Sequence, residues 1–189
     1  MKKIIICTLL TAFSLVAFAQ QHLTFKGVPI DGTLNEYTEA MKAKGFTYLG
    51  TQDGISILKG DFAAVKNCTI GVSTLKNLNV VSMIAVIFPE KENWAPLLSD
   101  YDALKEMLTE KYGAPSEVLE QFNTYSESDG AKMHALFDQE LDWYTIFSTE
   151  LGNIELTISS TDYGKGSVVL RYRDKVNSNK VRQSALDDL

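Results

Sequence analysis

Ser99–Pro115, SDYDALKEMLTEKYGAP, reads as one complete helix with a start, an apolar stripe and a stop. Ser99 predicts an N-cap, because its hydroxyl can accept a hydrogen bond from a free amide of the first turn. Asp102, three residues on, is an acidic variant of the capping-box spacing. Asp100 and Asp102 would then lie at the positive end of the helix dipole. Tyr101, Leu104, Leu108 and Tyr112 recur along one helical face. Gly113 supplies a left-handed stop, and Pro115 prevents continuation.

An earlier stretch, Thr33–Phe46 (TLNEYTEAMKAKGF), has the same grammar. Thr33 and Glu36 make a capping box, Leu34, Tyr37 and Met41 make the stripe, Lys42 and Lys44 suit the negative end, and Gly45 stops the helix. Neither helix is apolar all round, so each should lie on one face of a sheet.

Each helix precedes a run of strand-like segments. Leu23–Phe25 is a short lead-in strand. After the first helix, Phe46–Leu49 and Ile55–Leu58 flank Gln52-Asp53-Gly54 and read as a hairpin, which Phe62–Val65 continues. In Asn67–Leu75, Cys68, Ile70 and Val72 alternate with Thr69, Gly71 and Ser73, the pattern of a half-buried strand. Val80–Phe88 is apolar on both faces, with Val81, Met83, Ala85 and Ile87 on one and Val80, Ile84, Val86 and Phe88 on the other. Something must therefore cover both sides of the first sheet, and the second sheet or a dimer partner is the natural candidate. After the second helix, Glu117–Phe122 reads as a strand and Asn123–Gly130 as a polar loop. Lys132–Phe137, Leu141–Ser148, Asn153–Ser159 and Ser167–Arg173 follow as further strands.

The expected fold class is α+β, with two tandem units, each a helix packed on an antiparallel β-sheet. The boundaries fall at 1–19 (signal peptide), 20–89 (first unit), 90–98 (connector), 99–174 (second unit) and 175–189 (a polar tail with a possible short helix).

The leader has a basic start at Lys2 and Lys3, an apolar core over Ile4–Phe18, and Ala17-Phe18-Ala19 as a small-x-small cleavage signal. That core is shorter than the roughly 20 residues a membrane span needs. The chain is therefore expected to be exported, to the periplasm or beyond, with no span once the leader is gone. Its formal charge of −6 becomes more negative when Lys2 and Lys3 leave. An acidic chain argues against nucleic acid or an anionic membrane as main partner. Cys68 is the one cysteine outside the leader, and its alternation with Ile70 and Val72 predicts a buried thiol.

The Lys111–Pro115 helix end (Lys-Tyr-Gly-x-Pro), the aromatic strand Asp142-Trp143-Tyr144, Ile154–Ile158 and the closing Val168–Asp174 together resemble small secreted bacterial proteins of tandem helix-plus-four-stranded-sheet units. The beta-lactamase inhibitor protein architecture is their named example. The resemblance implies antiparallel strands with helices on one face, and a binding role. The inhibitor's disulfides are absent from this chain, and no inhibitory residue carries over.

No phosphate loop, H-E-x-x-H run, Cys/His metal spacing or G-x-S-x-G elbow is present. The helical acids suit caps and solvated faces, and His134 suits a surface or hydrogen-bonded position. No catalytic, metal or cofactor site is therefore assigned. The candidate binding face is the outward side of the second sheet, Tyr144, Glu155, Thr157, Arg171 and Arg173, because aromatic and Arg side chains are enriched at interfaces. The same residues would also suit a solvated face with cross-strand Glu–Arg pairs. The expected role is non-enzymatic binding of a protein or peptide, with a homodimer as one form of partner. The alternatives are an envelope hydrolase and a structural accessory of an envelope assembly.

Overall fold

The computed structural model describes residues 21–75, 78–123 and 128–187. The expected leader and Thr124–Glu127 of the polar loop lie outside them.

The first helix, α1 (Leu34–Ala43), forms as its capping box predicts. The Thr33 side chain accepts from the Glu36 amide, and the Glu36 carboxylate accepts from the Thr33 amide. The Thr33 amide and, to a smaller extent, the Thr33 hydroxyl, which also donates to the Glu36 carboxylate, hold that carboxyl below its ordinary range. Tyr37 and Met41 are buried.

The second helix, α2 (Trp94–Tyr112), departs from its expected start. Its N-cap is Asn93, whose side chain makes no capping bond, so Ser99 is not a cap and Asp100 and Asp102 lie inside the helix. Trp94 and Leu97 extend the stripe of Tyr101, Leu104 and Leu108 backwards at alternating spacings of three and four. Pro96 is tolerated because it sits in the first turn, where an N–H would have no helical partner. The connector correspondingly shortens. Its Lys91 amide donates to the Gly166 carbonyl, and the Lys91 ammonium lies 3.1 Å from Asp100.

A third helix, α3 (Asp129–Phe137), replaces the strand expected over Lys132–Phe137. Ser128 caps it by accepting from the Ala131 amide, and Met133, Ala135 and Leu136 turn inward. The run of Ala, Met and Leu has strong helix propensity, which a short apolar stretch hides.

The strands are β1 (Thr24–Phe25), β2 (Val28–Pro29), β3 (Thr47–Gln52), β4 (Ile55–Phe62), β5 (Val65–Leu75), β6 (Leu78–Ile87), β7 (Glu117–Phe122), β8 (Leu141–Ser148), β9 (Gly152–Asp162) and β10 (Lys165–Asp174). β1 and β2 form a small hairpin. The other eight form one antiparallel sheet in the order β3-β4-β5-β6-β10-β9-β8-β7. The expected strand over Phe62–Val65 is instead the turn between β4 and β5, with Ala63 and Ala64 both at positive φ.

The central junction is β6 against β10, with Ile84 opposite Tyr172 and Ala85 opposite Arg171. The strands of the second half therefore extend the first sheet edge to edge. They do not cover its second face, which corrects the expectation that a second sheet would.

A register shift between Ser73–Met83 and Thr74–Val81 also moves Val81 to the covered face. Val81 is fully buried with Ile84 and Val86, while Met83, Ala85 and Ile87 stay half-exposed on the other side.

The helices α1, α2 and α3 lie on one face. Thr38 of α1 donates to Ser56 of β4, and the Tyr101 hydroxyl of α2 lies 2.6 Å from that of Thr145 of β8. Trp94 packs at 5.0 Å from Trp143, and Leu97 and Leu136 press onto Gly166. Phe25 packs against Tyr172 of β10 and Phe62 of β4. Each fully buried Leu or Ile here contributes about 1.5–3 kcal/mol.

The possible helix of the polar tail is present as α4 (Lys175–Asp187), longer than a short terminal turn, and it begins directly after β10. Asp174 caps it by accepting from the Asn177 amide at 2.8 Å.

Candidate functional site

Pairing register places side chains on the two faces of the sheet, since directly opposed residues share a face. Tyr144 stands opposite Thr157, Glu155 opposite Arg171, and Asn153 opposite Arg173. All five candidate residues therefore meet on the face away from α1, α2 and α3.

Three of them, Glu155, Arg171 and Arg173, contact one another. Arg171 donates to Glu155 at 2.7 Å, and Arg173 lies 3.7 Å from the other Glu155 oxygen. The Tyr144 hydroxyl donates to Glu117 at 2.7 Å. That bond raises the Tyr144 pKa, with burial and the charges of Glu117, Asp142 and Glu155 adding to it. The Thr157 hydroxyl donates to the Trp143 carbonyl at 2.9 Å, so the sheet itself consumes it. The face thus offers a partner the Arg173 guanidinium, the Tyr144 ring and the apolar Ile146 and Leu119 beside it. The cross-strand Glu–Arg pairing expected of a solvated face is present as well.

The register adds residues that the sequence reading left outside the candidate face. One row across the sheet runs Ile57, Gly71, Ala85, Arg171, Glu155, Ile146, Glu117. The next runs Lys59, Thr69, Ile87, Val169, Thr157, Tyr144, Leu119. The candidate face is therefore continuous with an apolar half on β4, β5 and β6. The signal for it was the apolar character of both faces of Val80–Phe88. Its meaning depended on which strand lay alongside.

Other chemistry-bearing side chains serve the fold. Burial raises the Cys68 thiol pKa, the opposite of what a nucleophilic thiol needs, and its sulfur contacts the Val65 carbonyl. Asp174 is fully buried and accepts from the Leu23 and Asn177 amides, each at 2.8 Å, with His22 at 3.1 Å. His22 also lies 3.3 Å from Asp31. The Asn177 amide nitrogen donates to the carbonyls of Ile30 and Val81 and to Asp31. Burial pushes the Asp31 carboxyl up. Bonds from Asn177 and the Gly32 amide, with the charges of His22 and Lys180, outweigh burial and leave it below its ordinary range. This polar knot ties the start of the described chain to α4.

His134 lies on α3 rather than on a strand, and its Nε2 is 2.7 Å from the exposed Tyr163 hydroxyl. Among the described residues no group of three or more His, Cys, Asp or Glu side chains is placed to hold a metal ion. No helix among them is long and apolar enough to cross a membrane. Compared with protein-family models, curated proteins and solved structures, the chain has no match.

Proposed function

We propose that the chain is an exported binding module, non-enzymatic, that engages a protein or peptide through the sheet face carrying Tyr144, Glu155, Thr157, Arg171 and Arg173. The observation that carries this reading is the register. It brings five residues chosen from three separate strands onto one face, next to an apolar area of the same sheet. Aromatic and Arg side chains beside apolar surface have the composition of interface centres. We further propose that the chain consists of two helix-plus-sheet units, α1 with β3–β6 and α2 with β7–β10, akin in architecture to the secreted inhibitor proteins it resembles. The strand order, in which the last strand of each half meets at the centre, supports that reading. The leader motif of residues 1–19 supports export to the periplasm or beyond.

The test is a crosslinking capture from the cell envelope with the wild-type chain and with the double variant Tyr144→Ala, Arg171→Ala. The expected result is a specific partner that wild type retains and the variant loses, with thermal midpoints within a few degrees of each other. A partner held equally by both proteins, or none over repeated captures, would overturn the reading.

A further inference from the structure

The half of the open face formed by β4, β5 and β6 differs in chemistry from the rest of the molecule. On β5 the outward residues are Thr69, Gly71 and Ser73, all small. They are flanked by Ile55 and Ile57 on β4 and by Met83 and Ile87 on β6. Two inter-strand spacings separate these flanks, about 10 Å. The result is a shallow trough along β5 with apolar walls. Ile55 at its side is 39% exposed, so the trough opens to solvent. A Cβ on Gly71 would meet only Ile55 and Ala85 at ordinary contact distances, which leaves the floor open to a ligand atom.

Its charge is the second observation. The chain carries a formal charge of −6. Yet the outward positions of β4, β5, β6 and β10 hold Lys59, Arg171 and Arg173, with one carboxylate, Asp61, at the far end of β4, where it accepts from the Asn67 amide. The acid on the other side, Glu155 of β9, is closely engaged with Arg171. Arg173 is 49% exposed and holds Glu155 only at 3.7 Å, while Lys59 makes no ion pair among the described residues. An apolar trough in an acidic protein thus has Lys59 on one flank and Arg173 on the other, with Asp61 beyond Lys59 at its end.

We propose that this trough docks an amphipathic helix of a partner protein, with an apolar ridge in the trough and carboxylates on its two flanks toward Lys59 and Arg173. The proposal rests on the binding reading above and names the chemistry of the partner. A helix fits better than an extended segment because a sheet face presents no backbone donors or acceptors. A strand laid on it would leave its own amides and carbonyls unpaired, whereas a helix satisfies them internally.

The test measures fluorescence anisotropy of the full chain with two labelled helical peptides. Both carry a Leu ridge, one with Glu flanks and one with Lys flanks. The whole-molecule charge favours the Lys peptide, so the proposal predicts the opposite order, with the Glu peptide at least tenfold tighter. The variant Lys59→Glu, R173E should reverse that order, and Gly71→Arg, which fills the floor, should abolish binding of both peptides. Circular dichroism of each variant checks folding, and the exposed charge variant carries the test if Gly71→Arg fails to fold.

Equal affinities, a preference for the Lys peptide, binding indifferent to all three substitutions, or no binding would each overturn the trough proposal. If, at the same time, the Tyr144 and Arg171 double variant still loses a captured partner, the broader binding reading stands without it.

Discussion

The two halves of the sheet have their helices on the same face and differ most on the other. In the first half, a helix of 10 residues lies over β5 and β6, and the opposite face is small and apolar. In the second half, α2 has 19 residues with α3 beside it, and the opposite face is crossed by Glu–Arg and Tyr–Glu contacts. The covered faces look alike because both must exclude water. The open faces are free to diverge, so differences there carry functional information that buried residues do not. The polar partners that β7, β8, β9 and β10 give one another also satisfy that half internally, whereas Ile55, Ile57, Met83 and Ile87 have only water or a partner to meet.

The join between the halves offers the largest effect. Asp174→Ala removes a buried carboxylate and leaves the Leu23 and Asn177 amides without acceptors. The expected loss is about 3 kcal/mol or more, because donors orphaned in the interior pay full desolvation. Urea unfolding monitored by circular dichroism measures it, and a loss under 1 kcal/mol would show that the knot does not hold the two ends.

Two glycines sharpen the contrast between faces. On the covered face, a Cβ at Gly166 would sit 2.6 Å from Leu136 and 2.8 Å from Leu97. Gly166→Ala should cost about 1–3 kcal/mol through overpacking. On the open face, Gly71→Ala has room, with Ile55 at 3.6 Å, and should be neutral or stabilise by up to about 1 kcal/mol. Equal effects at the two sites would break the comparison.

The helix starts separate by a smaller amount. Thr33→Ala should cost about 1 kcal/mol as a lost cap, and Ser99→Ala, inside α2, should stay within about 0.5 kcal/mol of wild type. A thermal-denaturation series on the single variants decides it.

The smallest expected effect is a pH dependence at Asp31. Its folded carboxyl titrates below its unfolded value. Its stabilising contribution is therefore present above the ordinary carboxylate range and lost as pH falls through the folded value. The difference in urea midpoint between wild type and Asp31→Asn should shrink as the pH is lowered from 7 to below 4.

Much of the covered side was legible in the chain. The α1 capping box, the α2 stripe and the Cys68, Ile70, Val72 alternation are local patterns, and each formed as read. The start of α2 was hidden because Ser99 imitates a cap and Pro96 imitates a break, while Trp94 and Leu97 carried the true signal. The α3 helix was hidden because a strand and a short helix bury similar apolar residues over six positions. All five candidate residues could be assigned to one side of their strands from alternation alone. Their neighbours could not, because alternation says which side a residue takes and not which strand lies alongside.

The order of apolar and polar residues along the chain was enough to determine an α+β protein, its first helix and its main strands. Side-chain periods of two and about 3.6 follow from backbone geometry and need no tertiary information. Tertiary structure alone decided that β6 pairs with β10, making one sheet of eight strands instead of two facing sheets. Strand pairing joins residues distant in sequence through backbone groups common to every residue, so little in the local sequence encodes it. That pairing left Met83, Ala85 and Ile87 half-exposed beside Arg171 and Arg173, and so produced the face on which the functional proposals rest.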